Sequence, residues 1–487
     1  MPRLKLFKHQ KKALRILSKE DKYALFMEQG TGKTLVIIKH IEALVKKGLT
    51  GRIIVFCPDA VVDSWASEIE DHLGCDYDLF IYRGKKQRRK KMIKQIISCK
   101  KDKIQIVILN YDKSRNDKKD LKKLKPVMAV ADESQKIKNQ KAKQTKAVIF
   151  ITRACDYRYI LSGTPISKGN EDIFGQFLFM NSELLGTKYK DFEDEYLIKG
   201  GYMGHNIIGY KNEDQLRAII KANSFRVKKR DCLDLPPMTE VRLYCDLSPK
   251  AKKVYNQLDK ELIAEVEGLY TSLPRKELKA ICRKHKIKYD KKASYLTLLT
   301  LAASKGGKKY EIALDSTLVK IGKLQQITGG FLKTEEGVLL LDQGKLNLTK
   351  ELVNDQQRPV VIFCKYLAEL NTLSKEFKQQ GKKVLVISGK VKDKGKVVKK
   401  FQTGKYDIII VQISSGSSGI TLTKADTAIF YSWGHKYDEF DQAKARIDRA
   451  GQKNPMTCYL LIARDTIDET ILKVLEERGK NASKMID

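Results

Sequence analysis

The stretch that most narrows the possible folds is Glu28-Gln29-Gly30-Thr31-Gly32-Lys33-Thr34, set between the apolar run Tyr23-Ala24-Leu25-Phe26-Met27 and the helix-periodic Leu35-Val36-Ile37-Ile38. A strand that feeds a glycine turn opening into a helix points backbone N–H groups and the positive helix end at one spot. With a lysine and a hydroxyl beside it, that spot suits a nucleoside triphosphate. Gly30, Thr31 and Gly32 let the backbone approach the phosphates, Lys33 reaches the β and γ phosphates, and Thr34 supplies a Mg²⁺ ligand. Met27 stands where the eight-residue form of this loop has its first glycine. On this stretch alone a chance glycine turn stays open, and other residues must decide.

The first half alternates short apolar runs with helical patterns, which is the signature of a parallel sheet wrapped by helices. Strands are expected at 52–57, 104–109, 126–131 and 159–161, and helices at 61–72 and 90–98. Leu235-Pro236-Pro237 ends this half, because prolines break regular elements. Further strand runs lie at 359–364, 383–387, 406–411, 427–431 and 458–462. The expected fold is therefore α/β, with two tandem parallel-sheet domains at 1–240 and 331–487 around a helical, polar region at 241–330. A length of 487 residues, more than one core comfortably serves, agrees with that division.

Inside the middle region, 271–304 reads as two short amphipathic helices joined by a basic loop. It resembles the SAP-like DNA-binding modules, with Arg275, Lys279, Lys286 and Lys288 as contacts. A helical insertion with merely solvated charges is the alternative. The formal net charge of +36 calls for a polyanionic partner. A lysine-rich composition would spread charge evenly, whereas here it clusters at 83–91, 118–125 and 390–400. Nine cysteines form no Cys-x-x-Cys pair or zinc-spaced cluster, so neither a metal nor a disulfide framework is expected. Without a long apolar span or an apolar N-terminal region, a cytoplasmic protein with no membrane partner is expected.

Asp132-Glu133 stands at the carboxyl end of the 126–131 run, where Asp132 suits a metal and Glu133 a polarised water. Ser162 and Thr164, in a glycine turn after the next run, are short hydroxyls able to couple the acidic pair to a facing domain. A polar turn with no such role is the alternative. Arg446 and Arg449 are spaced i, i+3, which on a helix places both on one side.

In this order the motifs resemble the superfamily-2 helicases and translocases, and within them the Swi/Snf-like branch. The residues that carry the likeness are Leu6 to Gln10, Gly30 to Thr34, Val55-Phe56-Cys57-Pro58 with Trp65 and Glu68, Asn110-Tyr111, and Asp132-Glu133-Ser134-Gln135. Leu161 to Pro165, Leu235-Pro236-Pro237, Val361-Ile362-Phe363, Gln412 to Thr423 and Asp441 to Gln452 complete them. The resemblance implies two RecA-like domains with ATP and Mg²⁺ in the cleft between them. Lys33, Asp132, Glu133, Arg446 and Arg449 are then catalytic, with Arg449 as the finger on the γ-phosphate and Arg446 supporting it. Gln10 falls on adenine, and Gly419 and Gln442 are further nucleotide contacts.

For the nucleic acid, the resemblance implies Pro58, Tyr111, Lys365, Ser414, Ser415 and Thr421. Trp65 reads equally as a strand contact or as core, and Lys365 as a contact or a plain surface lysine. Gln135 stands where this branch usually has histidine; an amide bridges domains but does not titrate, so coupling is expected to be insensitive to pH near neutrality. Serines replace glycines in 414–423, which leaves the strand contacts there open. The implied function is an ATP-dependent DNA translocase or helicase acting on duplex, forked or branched DNA in fork reversal, branch migration, recombination or repair. A monomer is expected, of the minimal kind that large phages or viruses carry, and then in the host cytoplasm. A nucleotide-switched DNA clamp or transcription-associated factor with little translocation is the alternative, and RNA as substrate is a further one.

Overall fold

The computed structural model describes residues 6–99, 103–200, 206–259, 319–334, 337–391, 393–416 and 420–487. In chain order the first half contains β1 (Lys22–Met27), β2 (Gly51–Cys57), β3 (Tyr77–Ile81), β4 (Ile104–Asn110), β5 (Met128–Asp132) and β6 (Tyr157–Leu161). A small antiparallel hairpin of β7 (Leu197–Gly200) and β8 (Asn206–Tyr210) precedes β9 (Ser224–Val227). Seven of these strands form one sheet in the order β3-β4-β2-β5-β6-β1-β9, and every neighbouring pair is parallel. Parallel pairs need crossover helices, which cover both faces, so the strands read as continuous apolar runs. Leu25, Met27, Ile53 and Val55 enter the core on one face, and Ala24, Phe26, Ile54 and Phe56 the core on the other. Because all strands run the same way, the carboxyl ends of β1, β2, β4, β5 and β6 meet at one edge, where open α/β sheets hold their ligands.

The second sheet joins β10 (Met238–Cys245), β13 (Val360–Cys364), β14 (Val384–Ile387), β15 (Ile408–Gln412), β16 (Thr427–Phe430) and β17 (Met456–Ala463). Its order is β10-β17-β16-β13-β15-β14, again parallel throughout. A separate hairpin pairs β11 (Phe331–Thr334) with β12 (Gly337–Leu340). Val361 and Phe363 face one core, Val360 and Ile362 the other. The architecture is thus two parallel-sheet α/β lobes, as the strand runs predict.

Three sheet strands were not among those expected, and all three lie at sheet edges: β3, β9 and β10. An edge strand is only half covered, so β10 alternates exposed and partly buried residues instead of running apolar. The chain crosses to the second sheet directly after Pro236-Pro237, since Met238 pairs with Met456. Residues 249–259 and 319–328 are helical and pack Ala251, Tyr255, Leu324 and Ile327 against Leu247. The basic pair of helices expected at 271–304, with Arg275, Lys279, Lys286 and Lys288, lies outside the described residues. No described helix is long and apolar enough to cross a membrane, and every described cysteine is a free thiol.

The final helix, Ile467–Ile486, belongs to both lobes. Its first half buries Ile471, Leu472 and Leu475 in the second lobe, and its last turns bury Ala482, Met485 and Ile486 in the core of the first.

Candidate nucleotide site between the lobes

The phosphate loop has the backbone its glycines require. Gly30 and Gly32 take φ of 83° and 84°, and Gly32 opens the helix Lys33–Lys46. Lys33 Nζ donates to the carbonyls of Met27 at 2.7 Å and Glu28 at 3.2 Å, so the ammonium is folded over the loop. Burial lowers its pKa, while Glu133 and Asp132 oppose that shift. Gln10 is buried, with Nε2 donating to the Thr31 carbonyl at 3.2 Å, and it lies so close to Gly32 that a Cβ there would collide with it. The structure therefore places Gln10 against the loop itself.

The acidic pair ends β5. Asp132 accepts from the Trp65 indole N–H at 2.8 Å through Oδ2 and from the Glu133 backbone N–H at 2.9 Å through Oδ1. Burial raises its pKa, and repulsion by Glu133 adds to the rise. Glu133 is held at φ 49°, a left-handed backbone that costs a non-glycine residue of order 1 kcal/mol and is typical of functional sites. A continuous hydrogen-bond chain runs from here. Ser162 Oγ accepts from Thr164 N at 3.0 Å and donates to Gln135 Oε1 at 2.7 Å; Gln135 Nε2 donates to Glu133 Oε2 at 2.6 Å. From the other lobe, Gln442 Nε2 donates to the same Glu133 oxygen at 3.1 Å. Gln135 and Gln442 thus meet on one carboxylate, and Ser162 reaches it through Gln135. Thr164 joins the chain by its backbone N–H and not by the hydroxyl expected to couple, which is buried without a partner among the described residues.

Tyr111, expected on the nucleic-acid side, is instead buried beneath this pair, together with Trp65, whose reading was open. Tyr111 is 5% exposed and donates its hydroxyl to the Asp132 carbonyl at 2.6 Å, stacked on Phe56. Trp65 is 1% exposed. Of its two open readings, core is the one that holds, with the added task of orienting Asp132.

The second lobe brings in the arginines. The helix Tyr437–Lys444 ends before them, so Arg446 and Arg449 sit in the following turn and not on a helix face as their spacing suggested. They still converge: Arg449 Nη1 donates to Thr421 Oγ1 at 3.0 Å and, like Arg446 Nη1, to the Ile420 carbonyl at 3.3 Å. A Cβ on Gly30 would touch Arg449 Cγ at 3.0 Å, so Arg449 lies directly over the phosphate loop. Burial and the neighbouring Arg449 lower Arg446 to about 10. Thr421, expected on DNA, lines the nucleotide cleft through this contact.

Lys33, Thr34, Asp132, Glu133, Arg446 and Arg449 all line one cleft of about 360 Å³, together with Gly30, Gly32, Trp65 and Glu68. Glu68 carries no expected catalytic role, yet burial and then Asp132 raise it to about 7. The pH-insensitivity expected from Gln135 consequently does not extend to the whole cleft. Among the described residues no group of three or more His, Cys, Asp or Glu could hold a metal. Thr34 and Asp132 fit a cation that arrives with its nucleotide: a hydroxyl and a poorly solvated carboxylate in one cleft supply two oxygen ligands, and Mg²⁺ keeps waters or phosphate oxygens at its other positions.

The remaining expected contacts lie elsewhere. Pro58 caps the short turn Asp59–Val61 at the end of β2. Lys365 Nζ donates to Gln325 Oε1 and lies over the Tyr366 ring, and burial lowers its pKa. Ser414 is exposed, while Ser415 donates to Gln412 Oε1 at 3.2 Å. Gly419 lies outside the described residues.

The chain matches the SNF2-related domain over residues 9–328 and the helicase conserved C-terminal domain over 344–451. An uncharacterised ATP-dependent helicase of Mycoplasma pneumoniae is 23% identical over 471 residues, covering 94% of this chain and 40% of that protein. The ATP-dependent DNA helicase DDM1 of Arabidopsis thaliana is 25% identical over 473 residues, covering 92% and 57%. The TATA-binding protein-associated factor mot1 of Aspergillus fumigatus is 25% identical over 460 residues, covering 89% and 23%. This chain spans between 23% and 57% of the length of these relatives. A solved SWI2/SNF2 ATPase core of Sulfolobus solfataricus in complex with dsDNA aligns with 99% of this chain and 95% of that one, at TM-score 0.43 and 22% identity. With the SNF2-related match spanning well over half of its residues, and a helicase C-terminal domain matched in the second lobe, the chain belongs to the SNF2-related family.

Proposed function

We propose that the protein is a DNA-dependent ATPase that hydrolyses ATP to ADP and phosphate and uses closure of the inter-lobe cleft to move along duplex or branched DNA. The observation that carries this reading is the composite site: Gln442 reaches Glu133 and Arg449 covers Gly30, both from the opposite lobe. A site completed by a second lobe makes turnover depend on domain closure, which is how hydrolysis is coupled to motion.

In this reading Lys33 and the loop N–H groups bind the β and γ phosphates, and Glu133 orients and takes a proton from the attacking water. Arg449 and Arg446 stabilise charge developing on the γ-phosphate, and Gln10 borders the adenine end. Bound between Thr34 and Asp132, Mg²⁺ would supply Lewis-acid polarisation of the phosphates. Gln135, Ser162 and Thr164 relay the state of Glu133 into the first lobe. Pro58, Lys365, Ser414 and Ser415 are proposed for the strand backbone; Tyr111 and Thr421 are left out because one is buried and the other faces the arginines. The expected boundary at 240 is moved to the crossover: the proposed division is 1–237 for the first lobe and β10 with 331–487 for the second, since β10 pairs with β17, and 271–304 of the region between is proposed to contact DNA. The name of the Arabidopsis relative, a DNA helicase, supports DNA over RNA. Fork reversal, branch migration, recombination and repair are the tasks this motor would serve.

The test is ATP turnover with single-stranded, duplex, forked and four-way DNA, joined to displacement of a triplex strand. DNA-stimulated turnover lost in Lys33→Ala, with ATP-dependent displacement, supports the motor. Turnover indifferent to DNA or to Lys33 sinks it. Binding without displacement points to a nucleotide-switched clamp instead. Deleting 271–304 should weaken DNA binding while sparing basal turnover.

A further inference from the structure

The end of β9 and the residues after it carry Arg226, Lys228 and Lys229, which are tied to three carboxylates from distant parts of the chain. Arg226 pairs with Glu28 at 3.1 Å and with Asp487 at 3.0 Å, and Lys228 pairs with Asp487 at 2.8 Å. Lys229 is the residue whose two ends touch both halves of the nucleotide site. Its backbone N–H donates to Glu28 Oε2 at 2.9 Å, just ahead of the phosphate loop. Its ammonium, 6% exposed, donates to the Asp448 carbonyl at 2.7 Å and carboxylate at 2.8 Å, directly ahead of Arg449.

The arginine turn needs such a fixed point. It is not helical; its own N–H bonds are short-range, from Arg446 N to Ala443 O and from Arg449 N to Ile447 O, and the Arg446 carbonyl accepts from Leu422 N at 2.9 Å, which ties the turn to its own lobe and not to the phosphate loop. Asp448 is the one acid between Ala445 and Gln452. Left unpaired, its carboxylate would compete with a phosphate for the neighbouring guanidinium. We propose that Lys229 is a positioning residue that occupies Asp448 and so holds Arg449 over Gly30, making the crossover segment a gauge of the distance between phosphate loop and arginine turn.

This inference rests on the reading of Arg449 as the phosphate-facing arginine, and the tests separate the two. Lys229→Met should lower DNA-stimulated kcat by roughly 10- to 100-fold, the scale of a misplaced catalytic group, with KM for ATP changed less than about threefold because Lys33 and its loop are intact. Adding Asp448→Asn to Lys229→Met should restore part of that loss, since the competing charge is gone. In an Arg449→Ala background, Lys229→Met should cost nothing further; an additive loss would mean general damage to the fold and would overturn the proposal. Amide hydrogen exchange gives a readout that needs no turnover. Lys229→Met should speed exchange in 445–452 at least tenfold while leaving β2 unchanged, and unaltered exchange there overturns the tie. If Arg449→Ala keeps parental turnover, the reading of Arg449 fails, and exchange alone then decides whether Lys229 anchors the turn.

Discussion

Asp132 is held by donors from two directions, the Trp65 indole and the Glu133 backbone, because a buried carboxylate beside another carboxylate must be satisfied or take up a proton. Trp65→Phe keeps the packing and removes only the donor. It should raise the Mg²⁺ concentration for half-maximal turnover by about tenfold, the usual cost of losing a partner that orients a ligand, read from turnover across a Mg²⁺ titration. Gln135 offers a second residue-level test, since it bonds both Ser162 and Glu133 without titrating. Gln135→His places a group of pKa about 6.5 at that junction. The ratio of variant to parent turnover should then change between pH 6 and 8, a comparison that cancels Glu68, whose own pKa of about 7 affects both proteins. A flat ratio would show that the junction does not couple.

At the scale of elements, the helix Leu367–Gln379 begins with a buried acid. Glu369 Oε2 accepts from Tyr366 N at 2.9 Å and from Ser432 Oγ, yet burial still raises the group from 4.5 to about 7. A raised carboxyl pKa means the native state holds its proton longer than the unfolded chain. This stability is full below pH 4.5 and is lost as pH rises towards 7, by up to about 3 kcal/mol. Glu369→Gln should flatten that fall, checked by comparing denaturant unfolding of parent and variant at pH 5 and pH 8. The final helix makes a different claim, that its last turns belong to the first lobe. Met485 is fully buried there, and Met485→Ala should cost about 2–5 kcal/mol, seen in the unfolding of the first lobe and not the second alone.

For the whole molecule, charge and lobe docking are the governing terms. Arg89 is buried and pairs with Asp117, which brings the basic clusters 83–91 and 118–125 together on one side of the first lobe. Lys86, Arg88 and Lys90 stay exposed there. If this surface meets a phosphate backbone, replacing all three by glutamate should reduce the slope of log binding constant against log salt by about 0.9 per lost contact, measured by salt titration of DNA binding. An unchanged slope would assign these three side chains to solvation alone.

Much of this was legible in the residues themselves, for a local reason. A strand buried on both faces must be a continuous apolar run, so β1, β2, β4, β13 and β15 announce themselves, and chemistry placed at their ends, such as Lys33 and Asp132-Glu133, comes with them. Edge strands β3, β9 and β10 are half covered and lose that signal. What only the tertiary structure decided is who faces whom: within a lobe, Trp65 and Tyr111 beneath Asp132 and Thr421 on Arg449, and across the lobes, Gln442 on Glu133 and Lys229, beside Glu28, on Asp448. Those pairings join residues up to 309 positions apart. They depend on how helices and loops pack at the end of each sheet and on how the two sheets dock, which no local periodicity encodes.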